Sequence, residues 1–380
     1  MHGHAVVYRL HALFLILIAS GPVRADLREL NEANSAMKAG FALSDDAAAR
    51  LAAASGSSSD ARARIALLAY YSVSCKTLPV AQIKQRRAEQ IFWLIQHAPT
   101  SELFNIANGI YRIFLTGDQF ADPDAFRQGA ALWMKQVEAH PGDRAIQQNA
   151  SRFLELGDPR AASGLLRDLG NSQAVGSLYG LMLLGVVATD YRTGDSRVTD
   201  DNARKSDFAK EAMAELRQSA DAKLIGGAGF WMAVQGGMLY ADGKLDWDYT
   251  GTSHELLRRA LELDPTVAQW YALVDQPLPQ RGQRPARVFG TSMAGLQARR
   301  TRGVTPVYSP DIKAQGIEGK VTLNLLIGPD GKVVKALMTG GPQVFADSVL
   351  DAVKQWEYKP ESSFTFAPAE VTFSREGVRI

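Results

Sequence analysis

Residues Gly316–Val333 read GIEGKVTLNLLIGPDGKV, and this stretch predicts a β-hairpin. Apolar and polar residues alternate from Lys320 to Ile327, as expected of a strand with one buried face. Four residues typical of a tight turn follow: Gly328, Pro329, Asp330 and Gly331. A returning strand is then expected over Lys332–Thr339, so the hairpin places this part of the chain in a sheet.

Downstream of the hairpin, the spacing of apolar residues changes to that of a helix and back to that of a strand. The apolar stripe of the predicted helix consists of Phe345, Val349, Ala352, Val353 and Trp356. Tyr358 and Pro360 follow the helix, and with Phe345 and Trp356 they are the predicted structural anchors. The alternating residues of the predicted last strand are Pro368, Ala369, Glu370, Val371, Thr372, Phe373 and Ser374. The unit is therefore β-β-α-β.

Residues 276–303, upstream of this unit, are basic and lack helical periodicity. They contain three prolines, no acidic residue and six arginines: Arg281, Arg284, Arg287, Arg299, Arg300 and Arg302. This composition predicts a flexible tether. Its role is either that of a solvated linker or that of a patch that makes weak contact with anionic lipid headgroups or with the acidic helical domain.

The spacing of apolar residues over 26–275 predicts a helical domain. Apolar residues recur there every three or four positions, and Asn149–Leu169 and Gly236–Pro265 each suggest two helices joined by a turn. These pairs resemble degenerate tetratricopeptide repeats. The resemblance implies a concave surface that binds an unknown protein or peptide, and a helical spacer without a ligand is the alternative.

Residues 1–25 have the three parts of a signal peptide. Arg9 precedes the apolar run Ala12–Ala19, and small residues flank Arg24 at the expected cleavage site. The run is shorter than the roughly 20 residues that a membrane-spanning helix needs. The sequence therefore predicts an exported protein, with an uncleaved inner-membrane anchor as the alternative.

Composition and motifs exclude several functions. Without residues 1–25, the 42 basic residues fall to 40 and balance the 40 acidic ones, which argues against nucleic-acid binding. Cys75 is the single cysteine, so no disulfide and no cysteine-based metal site is expected. His254 opens a zincin-like motif, but Arg258 stands where the second histidine ligand should lie. We therefore predict no enzyme activity, no metal and no cofactor.

The C-terminal unit resembles the C-terminal domain of the TonB family over residues 305–373. The resemblance rests on GIEGKV, on GPDGKV and on AVKQWEYKP, which spans Ala352–Pro360, followed by the terminal strand. It implies that Pro368–Ser374 form an edge to which a receptor peptide adds as a strand. The alternation alone leaves open whether Val371 or Thr372 directs its N–H toward that peptide.

These observations predict an α+β protein of several parts, with a signal peptide at 1–25, a helical domain at 26–275, a tether at 276–303 and a TonB-like domain at 304–380. We expect a periplasmic protein that docks an outer-membrane receptor or another envelope protein in support of transport. The alternatives are a structural envelope scaffold and, if the signal is not cleaved, an energy transducer anchored in the inner membrane and facing the periplasm.

Overall fold

The computed structural model describes residues 27–55, 60–101, 104, 122–155, 157–190, 196–283 and 285–380. The predicted signal peptide at 1–25 and Arg284 lie outside this part of the chain. The described residues divide into two compact units. The first unit contains the described residues up to Phe153 together with Asp190 and Ser196, each at the end of a short strand, and the second contains Leu154–Thr189 and Arg197–Ile380.

Helices form the described part of the first unit. Their bounds are α1 (Leu27–Phe41), α2 (Asp45–Ser55), α3 (Ala61–Ala69), α4 (Val80–His97), α5 (Pro123–Ala139) and α6 (Arg144–Leu154), the last of which ends in the second unit. A π-helical turn, Tyr70–Ser74, follows α3. The start of α5 is the one that the sequence predicts, because Asp122 accepts a hydrogen bond from the Ala125 N–H and Pro123 occupies the first turn.

The second unit begins with helices and one short hairpin. Its elements are α7 (Pro159–Asp168), α8 (Ser172–Leu183), β1 (Val186–Asp190), β2 (Ser196–Thr199), α9 (Asp201–Arg204), α10 (Asp207–Gln218), α11 (Ala222–Ala241), α12 (Thr250–Leu263) and a 3-10 helix (Pro265–Leu273). The glycine at position 176 lets α8 approach α11, because a Cβ there would run into the Leu224 carbonyl. The β1–β2 hairpin was not predicted within the helical domain, since its strands are too short to show a clear period.

The rest of the second unit is a mixed sheet with short helices. Its elements are β3 (Val288–Gly290), α13 (Met293–Gln297), β4 (Arg300–Arg302), α14 (Pro310–Ala314), β5 (Gly319–Ile327), β6 (Val333–Gly340), α15 (Ala346–Val353), β7 (Glu357–Tyr358), β8 (Phe364–Ser374) and β9 (Gly377–Arg379). The strand order is β3-β8-β5-β6, β9 also pairs with β8, and β4 pairs with β7. The predicted α+β class and the β-β-α-β order are confirmed.

The two faces of this sheet pack against different partners. The first face and α15 bury Val321, Leu325, Val349 and Phe373 in one apolar core. On the opposite face, the Asn324 Nδ2 donates a hydrogen bond of 3.1 Å to the Thr266 carbonyl of the 3-10 helix. The Nζ of Lys335 lies 5.7 Å from the centre of the Tyr271 ring of the same helix. The sheet is therefore joined directly to the helices that precede it.

The prediction of a flexible tether over 276–303 is wrong for its second half, which contains β3, α13 and β4. Several of its arginines have partners within the fold, in the pairs Arg281–Tyr240, Arg299–Glu361, Arg300–Trp356 and Arg302–Glu357. Arg299 and Arg302 are paired with carboxylates, whereas Arg281 and Arg300 lie over aromatic rings and keep their charge, so the weak contact with lipid headgroups stays a prediction. Within the part of the chain that the structure describes, no helix has the length and apolar character to cross a membrane.

Candidate functional site

The candidate site is the outer edge of β8, which holds the seven residues predicted as a docking strand. On its inner side, β8 pairs with β5 in antiparallel register from Thr365 to Phe373. On its outer side, β3 pairs in parallel with Phe364–Phe366, and β9 pairs in antiparallel register with Thr372–Ser374. Both ends of the outer edge are thus covered by short strands of the same chain.

Two hydrogen bonds determine which β8 residues face outward. The Phe364 N–H donates to the Arg287 carbonyl at 3.1 Å, and the Thr291 N–H donates to the Phe366 carbonyl at 2.9 Å. Because backbone groups alternate between the two sides of a strand, the even-numbered residues of β8 direct N–H and C=O to the outer edge. Val371 therefore faces β5, and Glu370 faces outward.

The open part of the edge is shorter than the sequence predicted. Ala369, Val371 and Phe373 direct their backbone groups to β5, and Thr372 and Ser374 face outward but pair with β9. Among the described residues, no strand covers the outer side of the remaining two, Pro368 and Glu370. Pro368 lacks an N–H, as is typical of an edge position. The open edge thus offers one donor, at Glu370, and two carbonyl acceptors.

The side chains at this opening add little bulk and one ion pair. Pro368 is exposed, and the carboxylate of Glu370 lies 3.0 Å from the Lys320 Nζ on the neighbouring strand. Ion pairs at an exposed surface contribute little to stability. The opening can therefore accept a backbone without displacing a buried side chain.

The predicted anchors hold α15 and β7 against the sheet, with one exception. The Trp356 side chain is 2% exposed, its Nε1 donates to the Val304 carbonyl at 2.8 Å, and the Arg300 guanidinium lies 4.8 Å from its ring centre. Phe345 stacks on Phe373 of β8 with ring centres 3.9 Å apart.

The other two predicted anchors differ from each other. Burial raises the pKa of Tyr358 to about 12, although Arg300 acts in the opposite direction. The exception, Pro360, is exposed and anchors nothing.

The predicted turn at Gly328–Gly331 closes the β5–β6 hairpin. The Gly328 N–H donates to the Lys332 carbonyl at 2.8 Å, and the Asp330 side chain accepts from the Lys332 N–H at 3.1 Å. Gly331 has φ 82°, where a Cβ is strained, and a Cβ there would also run into the Tyr358 carbonyl. This glycine lets the turn and β7 lie close together.

Sequence reasoning missed both strands that cover the edge. β3 reads Val-Phe-Gly within the segment interpreted as a tether, and three residues are too few to show a period. A signal for β9 was present, because Arg375-Glu376-Gly377 offers a turn before the apolar Val378 and Ile380.

Among the described residues, no three His, Cys, Asp or Glu side chains cluster as a metal site would require. Neither the curated proteins nor the solved structures contain a match to this chain. Residues 304–373 match a family model, that of the Gram-negative bacterial TonB protein C-terminal, and this match supports a role in protein interactions of the cell envelope. Residues 304–373 therefore form a TonB C-terminal domain, which confirms the resemblance predicted for residues 305–373.

Proposed function

We propose that this protein is a periplasmic adaptor whose TonB C-terminal domain docks an extended peptide of an outer-membrane receptor as an added strand. The observation that carries the proposal is the open edge of β8 at Pro368 and Glu370, between β3 and β9. An unpaired strand edge binds another chain through its backbone N–H and C=O groups. The match to the TonB C-terminal model covers this strand, and the resemblance described above implies a docking edge on it.

The helical part of the chain supplies the second half of the adaptor. In the second unit, α11 and α12 form one of the helix pairs that resemble tetratricopeptide repeats, and they precede the 3-10 helix that supports the sheet. We propose that the helical repeats bind an unknown protein or peptide while β8 binds the receptor. We propose a binding role without catalysis for the adaptor.

The experiment removes the one backbone donor of the open edge. Glu370→Pro deletes an N–H that faces away from β5, so the ladder between β5 and β8 keeps its hydrogen bonds. Binding is measured by fluorescence anisotropy with labelled peptides copied from the periplasmic N-terminal segments of outer-membrane receptors. We expect Glu370→Pro to weaken binding at least tenfold, because the donor is lost, the acceptor of the peptide is left without a hydrogen bond and the proline ring occupies the edge. Folding is checked by circular dichroism.

The matched control is Glu370→Gln, which loses the same ion pair to Lys320 but keeps the N–H. Its affinity should stay within about twofold of the parent, since exposed ion pairs contribute little. Equal binding by the parent and a folded Glu370→Pro variant would contradict docking at this edge.

A structural envelope scaffold is the second candidate. It is favoured by β3 and β9, which already cover both ends of the edge. This alternative predicts that none of the receptor peptides binds to the parent protein or to any of its variants.

A further inference from the structure

The open edge of β8 is short for strand addition. Only the five residues 367–371 lie between the segments paired with β3 and β9, and their outward groups are one N–H and two C=O. Each backbone hydrogen bond makes a modest net contribution, so three groups give a peptide little affinity. A tight complex therefore needs more of the edge than the structure leaves open.

Removing β3 would more than double the number of available groups. Phe364 and Phe366 each have an N–H and a C=O on the outer side, and these four groups face Phe289 of β3 and the residues that flank β3, Arg287 and Thr291. Phe289 is the β3 residue in register with Thr365, so its own N–H and C=O face Phe364 and Phe366. β3 thus occupies the edge in the same manner as an added peptide.

β3 is weakly held by its side chains. Phe289 is 38% exposed, Gly290 is exposed, and Val288 is half-buried against the core of the helices. Residues 275–283 and 285–287, which lead into β3, form neither helix nor strand. Release of β3 exposes the buried parts of Val288 and Phe289 but no fully buried side chain, so its free-energy cost is set by this limited apolar surface and by the hydrogen bonds to β8.

The other covering strand, β9, is more firmly held. A turn of only two residues, Arg375 and Glu376, joins β9 to β8, which keeps it close to its pairing position. Val378 and Ile380 pack against the core of the TonB C-terminal domain, and the Ile380 carbonyl accepts a hydrogen bond from Arg300 at 3.1 Å. Neither Val288 nor Phe289 belongs to that core, so β3 can leave while α13, whose Leu296 is part of the core, stays in place.

We infer that β3 is an autoinhibitory strand, which must leave the Phe364–Phe366 segment of β8 before a receptor peptide can occupy the full edge. This inference rests on the proposed docking function. Because only the released state offers the full edge, the apparent Kd equals the intrinsic Kd divided by the released fraction. Weakening β3 should therefore lower the apparent Kd, and fixing β3 in place should raise it.

The test releases β3 by Phe289→Pro in the full chain, since proline deletes the N–H that faces β8. Phe289→Ala is the matched control, because it removes the same exposed ring and keeps the N–H. With the labelled receptor peptides described above, we expect Phe289→Pro to bind at least tenfold more tightly than the parent and Phe289→Ala to bind within about threefold. The gain should disappear in the double variant Phe289→Pro/Glu370→Pro.

A second variant fixes β3 in place with a disulfide, so this test does not require that a proline variant folds. Gly290→Cys with Phe366→Cys joins two residues in register on neighbouring strands, and adjacent strands lie within the distance that a disulfide spans. We expect the oxidised form to bind at least tenfold more weakly than the same protein after reduction.

The outcomes separate the two proposals. If the parent, Phe289→Pro and both forms of the disulfide variant bind a peptide equally, docking stands and the role of β3 is refuted. A gain that persists in the double variant also refutes it, since binding is then elsewhere. If none of these proteins binds any peptide, docking itself is refuted, and the inhibition by β3 is refuted with it.

Discussion

Truncation of Trp356 tests the packing of the TonB C-terminal domain. This side chain is 2% exposed and contacts both the Val304 carbonyl and the Arg300 guanidinium. Replacing a buried tryptophan by alanine costs about 3–5 kcal/mol, because apolar contacts are lost and a cavity remains. We therefore expect Trp356→Ala to lower the free energy of opening of β5 and β8 by that amount.

Two further variants divide the loss into its parts. Trp356→Phe keeps an aromatic ring but removes the Nε1 donor to Val304, and one neutral hydrogen bond contributes about 0.5–1.5 kcal/mol. We expect a total loss of about 1–2 kcal/mol for this variant, since some ring surface is also removed. Val344→Ala, at a position that is 47% exposed beside the start of α15, should change the free energy by less than about 0.5 kcal/mol.

Amide hydrogen exchange, followed by mass spectrometry on the full chain, measures these effects where they occur. A loss of 3–5 kcal/mol speeds exchange of the β5 and β8 amides by roughly a hundred-fold to several thousand-fold, at tenfold for each 1.4 kcal/mol. An increase of less than tenfold for Trp356→Ala would show that this side chain does not anchor the domain.

Two other predictions concern a turn and an ion pair. Gly331→Ala should destabilise the domain by more than about 1 kcal/mol, because φ is 82° and the added Cβ meets the Tyr358 carbonyl. Gly164→Ala, in open space on α7, should instead stabilise its helix by about 0.5–1 kcal/mol. Urea unfolding measures the free energy of unfolding of both variants. Partial burial alone would raise the pKa of Glu215, but hydrogen bonds from Arg167 and Tyr179 leave it lowered. A lowered folded-state pKa gives stability that is present above the unfolded-state pKa, near 4.5, and is lost as the pH falls through the folded-state value. Glu215→Gln should therefore flatten the fall in melting temperature below about pH 5, and an unchanged pH profile would contradict this account.

The sequence predicted those strands of the C-terminal fold that have one apolar face and one polar face. β5 places Val321, Leu323 and Leu325 in the core and polar residues between them, so its period is visible. β8 begins at Phe364, four residues before its predicted start at Pro368, because Phe364 and Phe366 make the other face apolar as well and hide the alternation.

The candidate site could be predicted only in part. The chemistry of an edge depends on which neighbours cover it, and the pairing of β3 with β8 joins segments that are far apart in sequence. The direction of the Glu370 N–H likewise follows from the hydrogen bonds of Phe364 and Phe366, which no local pattern indicates.

The register of β8 has a mechanical consequence. A partner that pulls a docked strand along the axis of β8 loads the nine residue pairs between β5 and β8 in shear, so their hydrogen bonds resist the force together. The same pull reaches the helices through the hydrogen bond between Asn324 and Thr266. Because the sheet rests directly on the 3-10 helix, tension at the edge reaches the helices of the second unit without first extending a slack segment.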